Sequence, residues 1–340
     1  MNKFIFASVA AGALAVGASA QQQQQAPAPA KPALPPVDRN ILHVQVILDK
    51  LGFGPGVLDG RGGESLKAAL RGFQESRGLQ ETGEIDRATL RELYPYRSAR
   101  PTVMLTLNER VLAGPYVNPI PKDYKQQEKL PAMAYRTPIE KLAEMFHTTP
   151  QVLVALNDPS KRLTPGTRIV FPNALPSSRA YDPELPEKWR ATLNGLNVSA
   201  TQPRGERIVV DKSDGVLRVF DGRDRLVAQF SATMGSASDP LPLGRWKVLG
   251  PAYNPDWKMN PAILKSVSDD KPVAIVPPGP NNPVGVVWID LSKEHYGIHG
   301  TSEPQQIGRA ESNGCIRLTN WDAARLALMV KAGTPAVFQA

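Results

Sequence analysis

The chain contains a single cysteine, Cys315, in the run Ser312-Asn313-Gly314-Cys315-Ile316-Arg317, and sixteen residues upstream a histidine, His299, in Ile298-His299-Gly300-Thr301. A thiol is mostly protonated near neutral pH because its free pKa is about 8.5. A neighbouring imidazole is the usual device for removing that proton. Thiol, imidazole and glycine-rich turn together point to acyl transfer, in which sulfur attacks a carbonyl, a thioester forms and a second nucleophile resolves it. His299 would take the thiol proton, then protonate the leaving amine or deprotonate the acceptor. Backbone N–H groups near Gly314 and Cys315 are the candidates for stabilising the oxyanion. The glycine before the cysteine and the arginine two residues after it suit an exposed turn better than a core strand.

The rest of the sequence says where such a thiol works. Residues 1–20 read as a secretory signal, with Lys3 in the n-region, an apolar run from Phe4, and Ala18-Ser19-Ala20 as a cleavage site. That run is too short and too rich in Ala and Gly to favour a membrane span of about 20 apolar residues. No other segment reads as transmembrane. The expectation is an exported protein, periplasmic or cell-wall associated, that does not span the membrane once the signal is cleaved. Structural cysteines pair in an oxidising compartment, so a lone one is buried, intermolecular or used. The net charge of +8 favours an anionic partner such as a carboxylate-rich wall polymer. From residue 205 onward 15 basic and 14 acidic residues nearly balance, so the excess lies upstream of the cysteine. There is no Lys/Arg stripe with interleaved aromatics, which argues against nucleic acid.

Six stretches follow the signal. Residues 21–38 are a Gln tract and an Ala/Pro run, expected to be an extended spacer. Residues 39–95 carry three short apolar helical faces (Val44, Leu48, Leu51; Leu66, Leu70, Phe73; Ile85, Leu90, Leu93) separated by Gly/Pro/Asp turns, which predicts a small three-helix module. Residues 96–131 lack sustained periodicity and read as linker. Within 132–174, Thr137-Pro138-Ile139-Glu140 is a capping box with proline at the first helical position. A second helix starts at Thr149-Pro150, and Pro165-Gly166 turns the chain into a strand over 167–171. With a short strand near 134–136 this predicts a β-α-α-β unit. Residues 175–204, polar and punctuated by proline, read as a second linker. From 205 to 340 the apolar period becomes two, giving strands over 207–211, 216–220, 226–230, 245–249 and 286–289. One helix follows the cysteine, with Asn320 as its expected cap.

Three family resemblances attach to these stretches. The LGF-x-PG-x-x-DG run, the Phe73-Gln74 pair and the GL-x-x-TG step before the last helix resemble the peptidoglycan-binding domain family. The helix pair, its Leu-Asn ending and the L-x-PG-x-x-I-x-x-P finish resemble a LysM domain. VPPGPNNPVG at 276–285, YGIHGT, the IG at 307–308, SNGCIRL and the GTP-AVF ending resemble the L,D-transpeptidase catalytic domain, the YkuD family. That last resemblance implies a β-rich, sandwich-like catalytic domain with Cys315 as nucleophile and His299 as base. It also implies that the Gly300 carbonyl orients the imidazole, and that Thr301, Ser312, Asn313, Gly314 and Arg317 shape the substrate pocket. Where many relatives have His or Arg between Ser and Gly, this chain has Asn313.

By the same resemblance the substrate is the tetrapeptide stem of peptidoglycan. The bond between diaminopimelate and terminal D-alanine is cleaved and the acyl group passes to an amine, either on a second stem or on a lysine of an outer-membrane lipoprotein. Stem peptides and glycan strands are then the partners, with no cofactor. Trp246, Trp257 and Trp288 read as core or pocket wall, and Trp257 is the one most expected to meet substrate. His295 lies four residues before His299, but no carboxylate or second thiol completes a metal site there. His43 and His147 read as half-buried structural residues. Two other functions fit the same residues: an L,D-carboxypeptidase or cross-link hydrolase in which water is the acceptor, and a non-catalytic wall-binding scaffold.

Overall fold

The computed structural model describes residues 36–236, 239–261, 271–309 and 314–340; the signal segment 1–20, most of the spacer at 21–38, and Ser312 and Asn313 lie outside the described residues. The helical module holds α1 (Arg39–Lys50), a two-residue strand β1 (Phe53–Gly54), α2 (Glu64–Ser76) and α3 (Arg87–Leu93). Helix α1 starts where Asp38 accepts the Asn40 and Ile41 N–H groups at 2.7 and 3.1 Å. Its Val44, Ile47 and Leu48 pack with Leu70 and Phe73 of α2, while Leu42 and Val46 pack the other way with Leu58 and Ala174. A helix buried on two sides is an interior element.

A second group comprises β2 (Thr102–Thr106), α4 (Glu109–Leu112), α5 (Tyr124–Gln127), α6 (Pro138–Met145), α7 (Pro150–Leu156) and β3 (Arg168–Pro172). Half of the capping box forms: Thr137 accepts the Glu140 N–H at 3.3 Å, but the Glu140 carboxylate accepts the N–H of Arg136, one residue before the cap, rather than that of Thr137. The strand partner differs from expectation. Strand β3 pairs antiparallel with β2, which lies inside the stretch read as linker, and residues 134–136 form no strand. The backbone there bonds elsewhere: the Met133 N–H donates to the Pro278 carbonyl and the Met133 carbonyl accepts from Asn281.

The last group contains α8 (Glu187–Gly195), β4 (Arg207–Asp211), β5 (Val216–Phe220), β6 (Leu226–Ser231), β7 (Thr233–Met234), β8 (Gly244–Tyr253), β9 (Trp257–Met259), β10 (Ala274–Val276), β11 (Val287–Leu291), β12 (Gly297–His299), β13 (Ile316–Arg317), α9 (Asn320–Met329) and β14 (Pro335–Gln339). The main sheet has ten strands in the order β1-β6-β5-β4-β14-β8-β11-β12-β13-β7. Strand β8 links its halves, pairing through Gly244–Lys247 with β14 and from Val248 onward with β11. Helix α8 lies in the other stretch read as linker, and its Trp189 and Leu193 are fully buried in the main core. The prolines that suggested a linker flank this helix, and Trp189, Leu193 and Leu196 follow helical spacing.

The groups are joined rather than tethered, within one unit spanning Pro36–Ala340. Strand β1 of the helical module extends the main sheet by pairing in parallel with β6. Gln229 ties the same seam, donating from Nε2 to the Ala68 carbonyl of α2 at 2.6 Å. Among the described residues no helix is long and apolar enough to cross a membrane.

Candidate active site

Strands β12 and β13 run parallel with Ile298 opposite Ile316 and His299 opposite Arg317. Side chains alternate along a strand, so Ile298 and Ile316 enter the core while His299 and Arg317 share the other face. Cys315, two residues before Arg317, reaches that face as the chain enters β13. His299, Cys315 and Arg317 all line one cavity of about 710 Å³, with Trp257, Trp288 and Tyr296 among its other walls.

Two glycines make this arrangement possible. Gly314 adopts φ +90°, and a Cβ there would lie 2.8 Å from Cε1 of Tyr296. Only glycine fits so close a turn immediately before the cysteine. At Gly297 a Cβ would meet the Trp288 indole at 2.4 Å. Its absence lets that indole lie across the strand and stack on the His299 ring, with centroids 5.4 Å apart and planes 14° apart.

The Nδ1 of His299 lies 2.7 Å from the Gly300 carbonyl oxygen. A carbonyl only accepts, so the proton sits on Nδ1 and Nε2 carries the lone pair. Burial lowers the His299 pKa to about 4, the Arg317 guanidinium disfavours the imidazolium further, and the Gly300 bond opposes both. The imidazole is therefore neutral at pH 7. Burial pushes the Cys315 thiol up, while the Gly297 N–H and the Arg317 charge pull it down less strongly. The resting pair is thiol and neutral imidazole, not thiolate and imidazolium. The Cys315 sulfur also lies 3.8 Å from the His295 carbonyl. Among the described residues the buried Nε of Arg317 has no hydrogen-bond partner. The Arg317 side chain lines the cavity beside aromatic walls and the charged groups Asp239, Asp256, Lys258, Lys293 and Glu294, so its guanidinium is placed to meet a carboxylate or carbonyl oxygen.

Of the residues singled out from sequence, Cys315, His299, Arg317 and Trp257 meet at the cavity, and Gly300 and Gly314 shape its backbone. Thr301 lies outside the lining and instead caps a turn, accepting the Glu303 N–H at 3.2 Å. Ser312 and Asn313 lie outside the described residues. His295 contributes its backbone carbonyl as well as part of the wall. Tyr296 was missed; its signal was adjacency to the Gly-Ile-His run. Asn320 does not cap α9: Thr319 does, accepting the Asp322 N–H at 3.1 Å, with Asn320 the first helical residue. His147 is fully rather than half buried.

Comparison with known proteins finds two families along the chain. Residues 205–338 match the family described as L,D-transpeptidase catalytic domain (YkuD). Residues 38–93 match the family described as "Putative peptidoglycan binding domain". The chain is 34% identical over 128 residues to the "Putative L,D-transpeptidase YkuD" of Bacillus licheniformis, covering 38% of this chain and 62% of that protein. It is 38% identical over 139 residues to the "Probable L,D-transpeptidase YbiS" of Escherichia coli K12, covering 39% and 44%. A solved L,D-transpeptidase from Mycobacterium smegmatis aligns at 24% identity and a TM-score of 0.33, covering 40% of this chain and 59% of that one. The chain spans less than two thirds of the length of each of these proteins. Its residues 205–338 belong to the L,D-transpeptidase (YkuD) catalytic-domain family and its residues 38–93 to the peptidoglycan-binding domain family.

Proposed function

We propose that the protein is an exported L,D-transpeptidase, periplasmic or wall-associated, that acts on peptidoglycan tetrapeptide stems through a Cys315 thioester. The observation that carries the reading is that His299 and Cys315 reach one cavity from adjacent paired strands, with the His299 Nε2 lone pair unprotonated. As the Cys315 sulfur attacks the carbonyl carbon between diaminopimelate and D-alanine, its proton passes to His299 Nε2. The C–N bond breaks, the imidazolium returns that proton to the leaving D-alanine amine, and a thioester remains. An amine acceptor attacks the thioester and gives its proton to His299, the C–S bond breaks, and the imidazolium returns that proton to sulfur, regenerating the thiol and neutral imidazole. Arg317, on the cavity wall, offers its guanidinium charge to an oxygen of the stem. The acceptor is the diaminopimelate amine of a second stem or a lysine of an outer-membrane lipoprotein. The peptidoglycan-binding domain, and the LysM-like helix pair beside it, face the enzyme to glycan.

The test is incubation of the purified protein with tetrapeptide muropeptides and an amine acceptor. Released D-alanine together with cross-linked dimers is the expected result, and Cys315→Ala abolishes both. Tripeptide as the sole product would make water the acceptor. Unchanged chemistry in Cys315→Ala would remove the nucleophile assignment and leave a wall-binding scaffold. The same assay has a pH arm: with the His299 pKa near 4, the acid limb of kcat/KM falls near pH 4. A limb at about 6.5, the ordinary histidine value, would mean that the base is not buried as described.

A further inference from the structure

Thr319 caps helix α9, which leaves the Asn320 amide for another task. Asn320 is fully buried. Its Nδ2 donates to Glu144 Oε1 at 2.6 Å and to the Pro280 carbonyl at 3.1 Å, and its Oδ1 accepts the Val286 N–H at 3.2 Å. Two acceptors on one side and a donor on the other match an amide and no other side chain of that size. The carboxylate of an aspartate would lack the donors, and a leucine would strand all three partners in a dry site.

The amide is wedged against the backbone that carries the catalytic histidine's partner. A Cβ at Gly300 would lie 2.0 Å from Asn320 Oδ1, and so would a Cβ at Gly285; the latter would also lie 2.7 Å from the Gly300 carbonyl carbon. Gly285, Gly300 and Asn320 are thus in mutual contact, with the Asn320 amide packed directly against the Gly300 backbone. The Gly300 carbonyl is the group that fixes the His299 tautomer. Glu144 comes from α6, 176 residues earlier in the chain, and Tyr135 hydrogen-bonds it from the same upstream group.

We propose that Asn320 is a positioning residue for His299, acting through the Gly300 peptide, and that Glu144 of the upstream helix pair holds Asn320 in place. The upstream group is then part of the support of the active site as well as a wall-facing module. This rests on His299 being the general base.

The experiment uses the full chain with Asn320→Ala, Glu144→Ala, Glu144→Gln and His299→Ala. Muropeptide kinetics are read beside the ¹⁵N spectrum of the imidazoles, in which His299 is assigned by its loss in His299→Ala. Asn320→Ala should lower kcat about 10- to 100-fold, the range for losing an orienting partner behind a functional group, with KM within threefold. Its His299 signals should move from the Nδ1–H tautomer toward a mixture. Glu144→Gln keeps an oxygen facing Nδ2 and should stay within threefold of wild type with the tautomer intact, whereas Glu144→Ala should lose both. A folded Asn320→Ala protein with wild-type kcat, or with unmoved His299 signals, overturns the proposal. Should Asn320→Ala not fold, identical kinetics and spectra for Glu144→Ala and Glu144→Gln overturn it equally. If His299→Ala retains transfer, the base assignment fails, while the imidazole spectra of the other variants still decide the positioning.

Discussion

Helix α9 meets a buried carboxylate from each upstream group, and the two are held in opposite ways. Asp49, from α1, accepts two hydrogen bonds from the Arg325 guanidinium at 2.9 and 3.0 Å and lies 3.1 Å from Nδ1 of His147. Burial would raise its carboxyl, but Arg325 and then His147 outweigh that and hold it well below the usual carboxylate range. Glu144, from α6, is as thoroughly enclosed and has hydrogen bonds from Tyr135 and Asn320 but no cation among the described residues. Burial pushes it up to about 7. Enclosure alone does not decide ionisation; a cation in fixed geometry does. Asp49 anchors α9 by charge, and Glu144 by hydrogen bonds that survive the loss of its charge.

The largest effect expected from this contrast is on the charged side. Arg325→Met leaves Asp49 enclosed without its main partner and should cost about 3–5 kcal/mol, read as a shift in the urea midpoint. The double variant Asp49→Leu/Arg325→Met removes that pair but leaves buried Asp322, which Arg325 also holds at 3.3 Å, without its cation, and should recover only part of that loss. A single-variant cost under about 1 kcal/mol, the range of an exposed ion pair, would mean that water reaches this junction and that the contrast with Glu144 is not one of charge.

An effect of about 1–3 kcal/mol belongs to Glu144, and its sign is set by the direction of its shift. The folded pKa, about 7, lies above the ordinary value of 4.5, so between those pH values the folded chain binds more protons than the unfolded one. The stability contributed by protonated Glu144 is complete below about pH 4.5 and is lost as pH rises through 7. Glu144→Gln should therefore be more stable than wild type at pH 8 and match it near pH 5. Asp49→Asn should show the reverse dependence: Asp49 is shifted down, so its stabilisation is present above the ordinary carboxylate pKa and fades as acid is added. Parallel stability–pH curves for the two variants would break the comparison.

Much of the site was legible before the fold. The His and Cys runs and their flanking glycines pick out the residues that meet at the cavity, but the stretch after Gly314 reads as an exposed turn, whereas Ile316 and Arg317 form strand β13 inside the main sheet with Ile316 fully buried. The strands over 207–211 and 216–220 appear with the bounds that their period-two pattern predicts. What was illegible is what depends on distant partners. Thr319 and Asn320 both suit a helix cap, and the choice is decided by Glu144, which lies in another module and occupies the Asn320 amide. The Gly52-Phe53-Gly54 run reads as a turn, yet Phe53 and Gly54 form a strand because the edge of β6 is there to pair with. Likewise β2 sits in a stretch without periodicity, and its register comes from β3 more than sixty residues later.

The smallest effect separates burial from like-charge repulsion as the source of the Glu144 shift. Glu140 lies one turn earlier on α6 and contributes to raising Glu144, but less than burial does. Its own carboxylate is bonded to the Arg136 N–H and guanidinium, which offsets most of its field. Glu140→Gln should accordingly lower the Glu144 midpoint by less than about half a unit, or about 0.7 kcal/mol, followed by ¹³C NMR of the Glu144 carboxyl. A drop of a full unit or more would make Glu140, rather than the dry surroundings, the reason that Glu144 stays protonated near neutral pH. Glu144 and Asp49 would then differ by their neighbouring charges alone, repelled in one case and paired in the other, with burial common to both.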